Sequence, residues 1–156
     1  MFDPSDSHAE QVIRKVEAPE KDELILRLEN RWKVEEHYWF PIDTGANERP
    51  AHVEAFQPKY FEEELTYDTL DQILAEHGVT TLFEKREGDI ICEIELEQFY
   101  PLYTGLEGFW FTEQLDWVIY ASHESSITVG GEWLLAEVKR AWPNWEQRVW
   151  TPHFYK

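Results

Sequence analysis

Trp117–Ala121 is an unbroken apolar run, too dense for a strand with one wet face. It reads as a strand buried on both sides at the centre of a sheet. The run leads into a polar turn, His123–Ser126, and then a second short strand, Ile127–Val129. Gly130 and Gly131 break that pattern, and a helix opens near Glu132, with Leu134, Leu135, Val138 and Trp142 on one side. Strand, turn, strand and helix within about thirty residues form a nucleus that the rest of the chain must fit.

Upstream, Leu24, Leu28 and Trp32 repeat every fourth residue behind Pro19, Glu20, Asp22 and Glu23, which predicts a helix over 20–32. Residues 1–8 carry no structural pattern and are expected to be disordered. The segment from Ala9 to Val16 is compatible with a short helix or a strand. Residues 36–41 read as a strand ended by Pro41, 43–47 as a loop and 52–57 as another strand. Glu62, Glu63 and Glu64 form a solvated charge run. Asp68 is placed to cap a helix through Glu76, with His77 in its last turn and Gly78 as its stop.

The plainest hairpin signal is Val79–Lys85 and Ile90–Glu97 around a turn with Gly88. In its second strand Cys92, Ile94 and Leu96 alternate with Glu93, Glu95 and Glu97, so three carboxylates are expected on one face. The aromatic tail, with Trp145, Trp150, Phe154 and Tyr155, is expected to pack back on the body. Antiparallel hairpins mixed with helices give the fold class: α+β, a single domain over 9–156, with a mostly antiparallel sheet and helices on one face.

The chain has 156 residues, eight of them Trp, so one ring-rich core is within reach without disulfides or metal. A single Cys forbids an intrachain disulfide. The first residues are acidic and polar, unlike a signal peptide, and no apolar stretch is long enough to span a membrane; the expected location is the cytoplasm. Net charge is −18, and Tyr60–Val138 holds 18 acidic residues against Lys85 and Arg86 alone. Such a surface repels nucleic acid and anionic membrane and attracts a basic protein.

His123 and Glu124, beside Ser122, Ser125 and Ser126, could do acid–base work, but no glycine-flanked nucleophile elbow accompanies them. A small-molecule hydrolase or carbohydrate-binding domain using Asp116, His123, Glu124 and surface Trp is therefore the alternative reading, and no catalytic residue is assigned otherwise. The six His are scattered without ligand spacing, so no metal and no cofactor is expected. No glycine-rich loop suits a phosphate. The most widespread feature is a partner surface, built from Glu93, Glu95 and Glu97 with Glu107, Glu113 and Glu124 adding to it.

Through Tyr120-Ala121-Ser122-His123-Glu124, the small-residue turn and Glu132-Trp133-Leu134-Leu135, the last third resembles the SUKH superfamily. That group includes bacterial immunity proteins and relatives of a yeast cell-wall synthesis regulator. The resemblance implies a compact α+β domain of acidic character that binds and neutralises a toxin domain, often a nuclease. It departs at Tyr38–Ile42 and carries over no catalytic residue. The expectation is a non-enzymatic acidic binding protein of immunity type, with a basic protein as partner.

Overall fold

A computed structural model describes residues 12–34, 39–41 and 50–151. The expected disorder of 1–8, most of the strand at 36–41, the loop at 43–47 and the tail beyond Thr151 lie outside them. Trp39–Pro41, the described end of that strand segment, is a turn.

Seven strands form one antiparallel sheet: β1 (Val12–Lys15), β2 (Val53–Phe56), β3 (Thr81–Arg86), β4 (Ile90–Glu95), β5 (Gly108–Phe111), β6 (Val118–Ser122) and β7 (Ser126–Gly130). Their order across the sheet is β1-β4-β3-β5-β6-β7-β2. The central apolar run is interior as expected, and all five residues of β6 are buried. Its side chains alternate between two cores. Val118 and Tyr120 face one side, Ile119 and Ala121 the other.

The helices are α1 (Glu20–Trp32), α2 (Pro58–Tyr60), α3 (Tyr67–Glu76) and α4 (Glu132–Ala141). Residues of α3 and α4, with Phe61 and Leu65 from the π-turn after α2, cover the Ile119 face of the sheet. Helix α1 lies on the opposite face. Its stripe of Leu24, Leu28 and Trp32 is buried against Val53, Phe83, Phe111 and Val118. Helices thus cover both faces rather than one, and this is why β6 shows no polar alternation.

Several local expectations shift. Strand β4 stops at Glu95, and Leu96–Gln98 is a 3-10 turn. The turn is held by Leu96 N–H donating to Thr80 O at 2.9 Å, and it carries Phe99 into the core. Glu97 therefore leaves the row of Glu93 and Glu95. Thr66, not Asp68, caps α3, its hydroxyl oxygen accepting from Thr69 N–H at 3.1 Å. Within the run 62–64, Glu64 is not merely solvated. Its carboxylate accepts from Arg148 Nε at 3.0 Å, from Arg148 Nη2 at 2.8 Å and from Trp142 Nε1 at 2.9 Å.

That clasp secures the end of the described chain. Val149 bridges Phe56 on the outer side of β2, and Trp150 N–H donates to Ala55 O at 2.9 Å. At the other margin β1 pairs with β4 through a shift in register between Val12 and Arg14. No helix among the described residues is long and apolar enough to cross a membrane.

Candidate functional site

The side chains singled out by the sequence sit in two places, at opposite ends of β6. Asp116 precedes the strand and His123 follows it, so on the order of 20 Å of extended chain lies between them. His123 and Glu124 come together, with Nε2 3.0 Å from Glu124 Oε1. Asp116 does not join them, and the geometry required for an Asp116–His123–Glu124 centre is missing.

The His123 end has a second carboxylate. Register places Gly108 opposite Ala121, so Glu107, just before β5, reaches the turn after β6. Glu107 is buried, and its Oε2 accepts from His123 N–H at 3.0 Å and from the imidazole Nδ1 at 2.6 Å. The Glu107 hydrogen bond, with Glu124 adding to it, holds His123 above the usual imidazole range. An imidazole clamped between two carboxylates is a structural cluster, because both ring nitrogens are engaged by Glu107 and Glu124 and neither faces a nucleophile. Ser122 and Ser126 are buried and share a 2.6 Å hydrogen bond with each other, and Ser122 Oγ also accepts from Glu124 N–H. Neither hydroxyl is presented to His123, so acyl transfer has no nucleophile–base pair here.

Other members of the expected acidic face are also engaged. Glu93 Oε1 accepts from Arg14 Nε at 2.7 Å, and Arg14 reaches Glu20 with its other nitrogens. With Glu107 and Glu124 committed to His123, three of the six named carboxylates are compensated. Glu95, Glu97 and Glu113 remain exposed. Glu113 is only loosely approached, Arg27 Nη1 lying 4.0 Å from its Oε1.

At the Asp116 end there is a cleft of about 460 Å³, which the sequence did not reveal. Five segments wall it: the end of α3 with His77, the start of β3, Glu93 of β4, the β5–β6 loop with Thr112, Glu113, Gln114 and Asp116, and Trp133 of α4. Gly131 makes this closure possible. Its φ is +125°, and a Cβ there would lie 2.6 Å from Asp116 O and 2.9 Å from Trp117 Cα. Only a residue without Cβ lets α4 start hard against Asp116.

The wall so formed is fixed by hydrogen bonds. Trp133 Nε1–H donates to Asp116 Oδ2 at 2.8 Å. His77 stacks on the indole with centroids 4.0 Å apart and planes 15° apart. His77 Nδ1 lies 3.0 Å from the Ile73 carbonyl, which can only accept. Nδ1 therefore carries a proton and donates to it. His77, expected in the last turn of this helix, is the C-cap of α3 and also one plate of the cleft wall.

The cleft lining contains three carboxylates and no Lys or Arg. Among the described residues no three ligating side chains are grouped as a metal ion would need. Comparison with known proteins adds no relative: no family model, no curated protein and no solved structure matches this chain.

Proposed function

We propose that this chain is a non-enzymatic, acidic binding protein whose partner is a basic protein. The observation that supports it is the way the cations are spent. Within Tyr60–Val138 the two basic residues are used locally: Lys85 Nζ lies 3.2 Å from Asp89 Oδ1, and Arg86 Nε 3.4 Å from Glu84 Oε1. Arg86 also donates to Leu106 O at 3.0 Å. Glu95, Glu97, Asp116 and Glu132 are exposed and meet no cation among the described residues. Glu95 lies opposite Thr81 in the β3–β4 ladder, beside the cleft that Thr81 helps to wall. The proposed partner face therefore shifts from the full expected set to the exposed Glu95, Glu97 and Glu113 with Asp116, of which Glu113 and Asp116 line the cleft. A field of uncompensated carboxylates accelerates encounter with a cationic surface and repels anionic ones.

In its finer form, suggested by the SUKH resemblance of the last third, the chain is a cytoplasmic immunity-type protein and the partner a basic toxin domain. The general reading is tested with lysozyme as a basic probe and ovalbumin as an acidic control, by calorimetry over roughly 20–300 mM salt. Saturable binding of lysozyme alone, weakening as salt rises and reduced in E95Q/E97Q/E113Q, is the expected result. Absence of binding at the lowest salt, or binding unchanged in the triple variant, overturns it.

A further inference from the structure

We infer that the cleft between α3, the β5–β6 loop and the start of α4 holds the side chain of an arginine from the partner; this rests on the reading above and gives it a contact point. The ligand class follows from what the walls can and cannot supply. Asp116 and Glu113 offer carboxylate oxygens and Thr112 a hydroxyl; the lining holds no Lys or Arg, and Arg27, 4.0 Å from Glu113 Oε1, stands outside it. Asp116 gives one oxygen to Trp133, and its Oδ1 accepts no hydrogen bond among the described residues. A group that fills such a site must be rich in donors and positively charged.

The ring stack narrows the choice further. His77 and Trp133 form a rigid, nearly parallel pair, held from both ends by the Ile73 and Asp116 hydrogen bonds. With Val79, Leu82, Phe83 and Trp117 it gives the cleft apolar lining beside its carboxylates. A guanidinium is planar, weakly hydrated and carries five donors in a fork, so it can lie against rings while meeting carboxylates. An ammonium is a strongly hydrated point charge that gains less from such a wall. The volume of about 460 Å³ exceeds that of the guanidinium itself and suits a whole arginine side chain entering from a surface loop.

The probe is a blocked Gly-Arg-Gly peptide, titrated against the full chain by two-dimensional NMR with the Trp133 indole N–H as reporter. Matched peptides carry citrulline, the neutral isostere, or lysine. A saturable shift of the Trp133 signal with arginine, at least about fivefold weaker with lysine and absent with citrulline, is expected. Both E113Q and D116N should weaken it by about fivefold. Glu113 is 73% exposed, so E113Q leaves folding intact, and the amide oxygen of D116N still accepts from Trp133. Equal shifts from arginine and citrulline, or arginine binding untouched by both variants, overturn the cleft assignment. If that happens while lysozyme still binds, the acidic-face reading stands without it. An arginine response with no lysozyme binding keeps the cleft and removes the partner reading.

Discussion

Gly131→Ala tests whether the cleft wall is built by one close backbone approach. Two costs add at this position. A side chain at φ +125° and ψ 132° occupies a region that L residues avoid, which costs about 1–3 kcal/mol. The new Cβ would also lie 2.6 Å from Asp116 O and 2.9 Å from both Trp117 Cα and Cβ, all rigid neighbours in a packed core. Overpacking of this kind adds about 1–3 kcal/mol, so the total is about 2–6 kcal/mol. Gly78→Ala serves as the control. Its φ is +85°, and a Cβ there meets nothing within 4 Å, so only backbone strain of about 1–2 kcal/mol remains. For a domain of this size the first variant should lower Tm by on the order of 10 °C and the second by a few degrees. Urea unfolding gives both free energies, and the Trp133 indole N–H signal reports the hydrogen bond to Asp116. If the two variants lose equal stability and the indole signal stays in place, the contact at Gly131 does not organise the cleft.

Two further expectations concern titration. Burial, with Asp68 adding to it, pushes the Asp71 carboxyl up to about 6, and one of its buried oxygens has no hydrogen-bond partner. A raised acid pKa means that the folded state holds the proton more tightly, so stability falls as pH rises from about 4 to 6. Asp71→Asn should therefore stabilise the protein at pH 7 by about 1 kcal/mol, a figure reduced for partial exposure, and the gain should vanish below pH 4 in pH-resolved urea melts. His123 loses stability in the same direction for a different reason, because here the charged form is the one the fold favours. Its raised pKa adds stability that is fully present below its unfolded value near 6.5 and is lost as pH rises through the folded value. The stability gap between the wild type and His123→Gln should close across that upper window. Glu107→Gln should lower the imidazole pKa measured by NMR titration.

The parts of the fold that could be read from the chain are those in which one local period decides the outcome. Helix α1 spans Glu20–Trp32 as its stripe requires, and β6 is interior as its apolar run requires. The β3–β4 turn falls where Gly88 places it. What escaped depends on register or on distant segments. Strand β5 has only four residues, Gly108–Phe111, without polar alternation, so nothing local shows that Glu107 will meet His123 sixteen residues later. For the same reason Glu107 looked like a surface carboxylate and proves to be buried. The pairing of Glu93 with Arg14 needs β1 beside β4, and the segment carrying β1 had no decisive pattern. The cleft draws on five separate segments, and Gly131, its structural key, reads in sequence only as a helix start. Charge, by contrast, needs no fold to be counted, which is why the acidic character of the central segment was visible and its compensation was not.

The contacts of Val149 and Trp150 with β2 have a meaning beyond tethering. A strand at a sheet margin displays unmet amides and carbonyls that can template the addition of another chain. Here Val149 and the Trp150 amide already occupy the outer side of Phe56 and Ala55, while the opposite margin carries the irregular pairing of β1 together with Arg14 and Lys15. A sheet of seven strands is thereby shielded from fibril-like growth at one border by the chain's own last described residues, and at the other by a break in register and charged side chains.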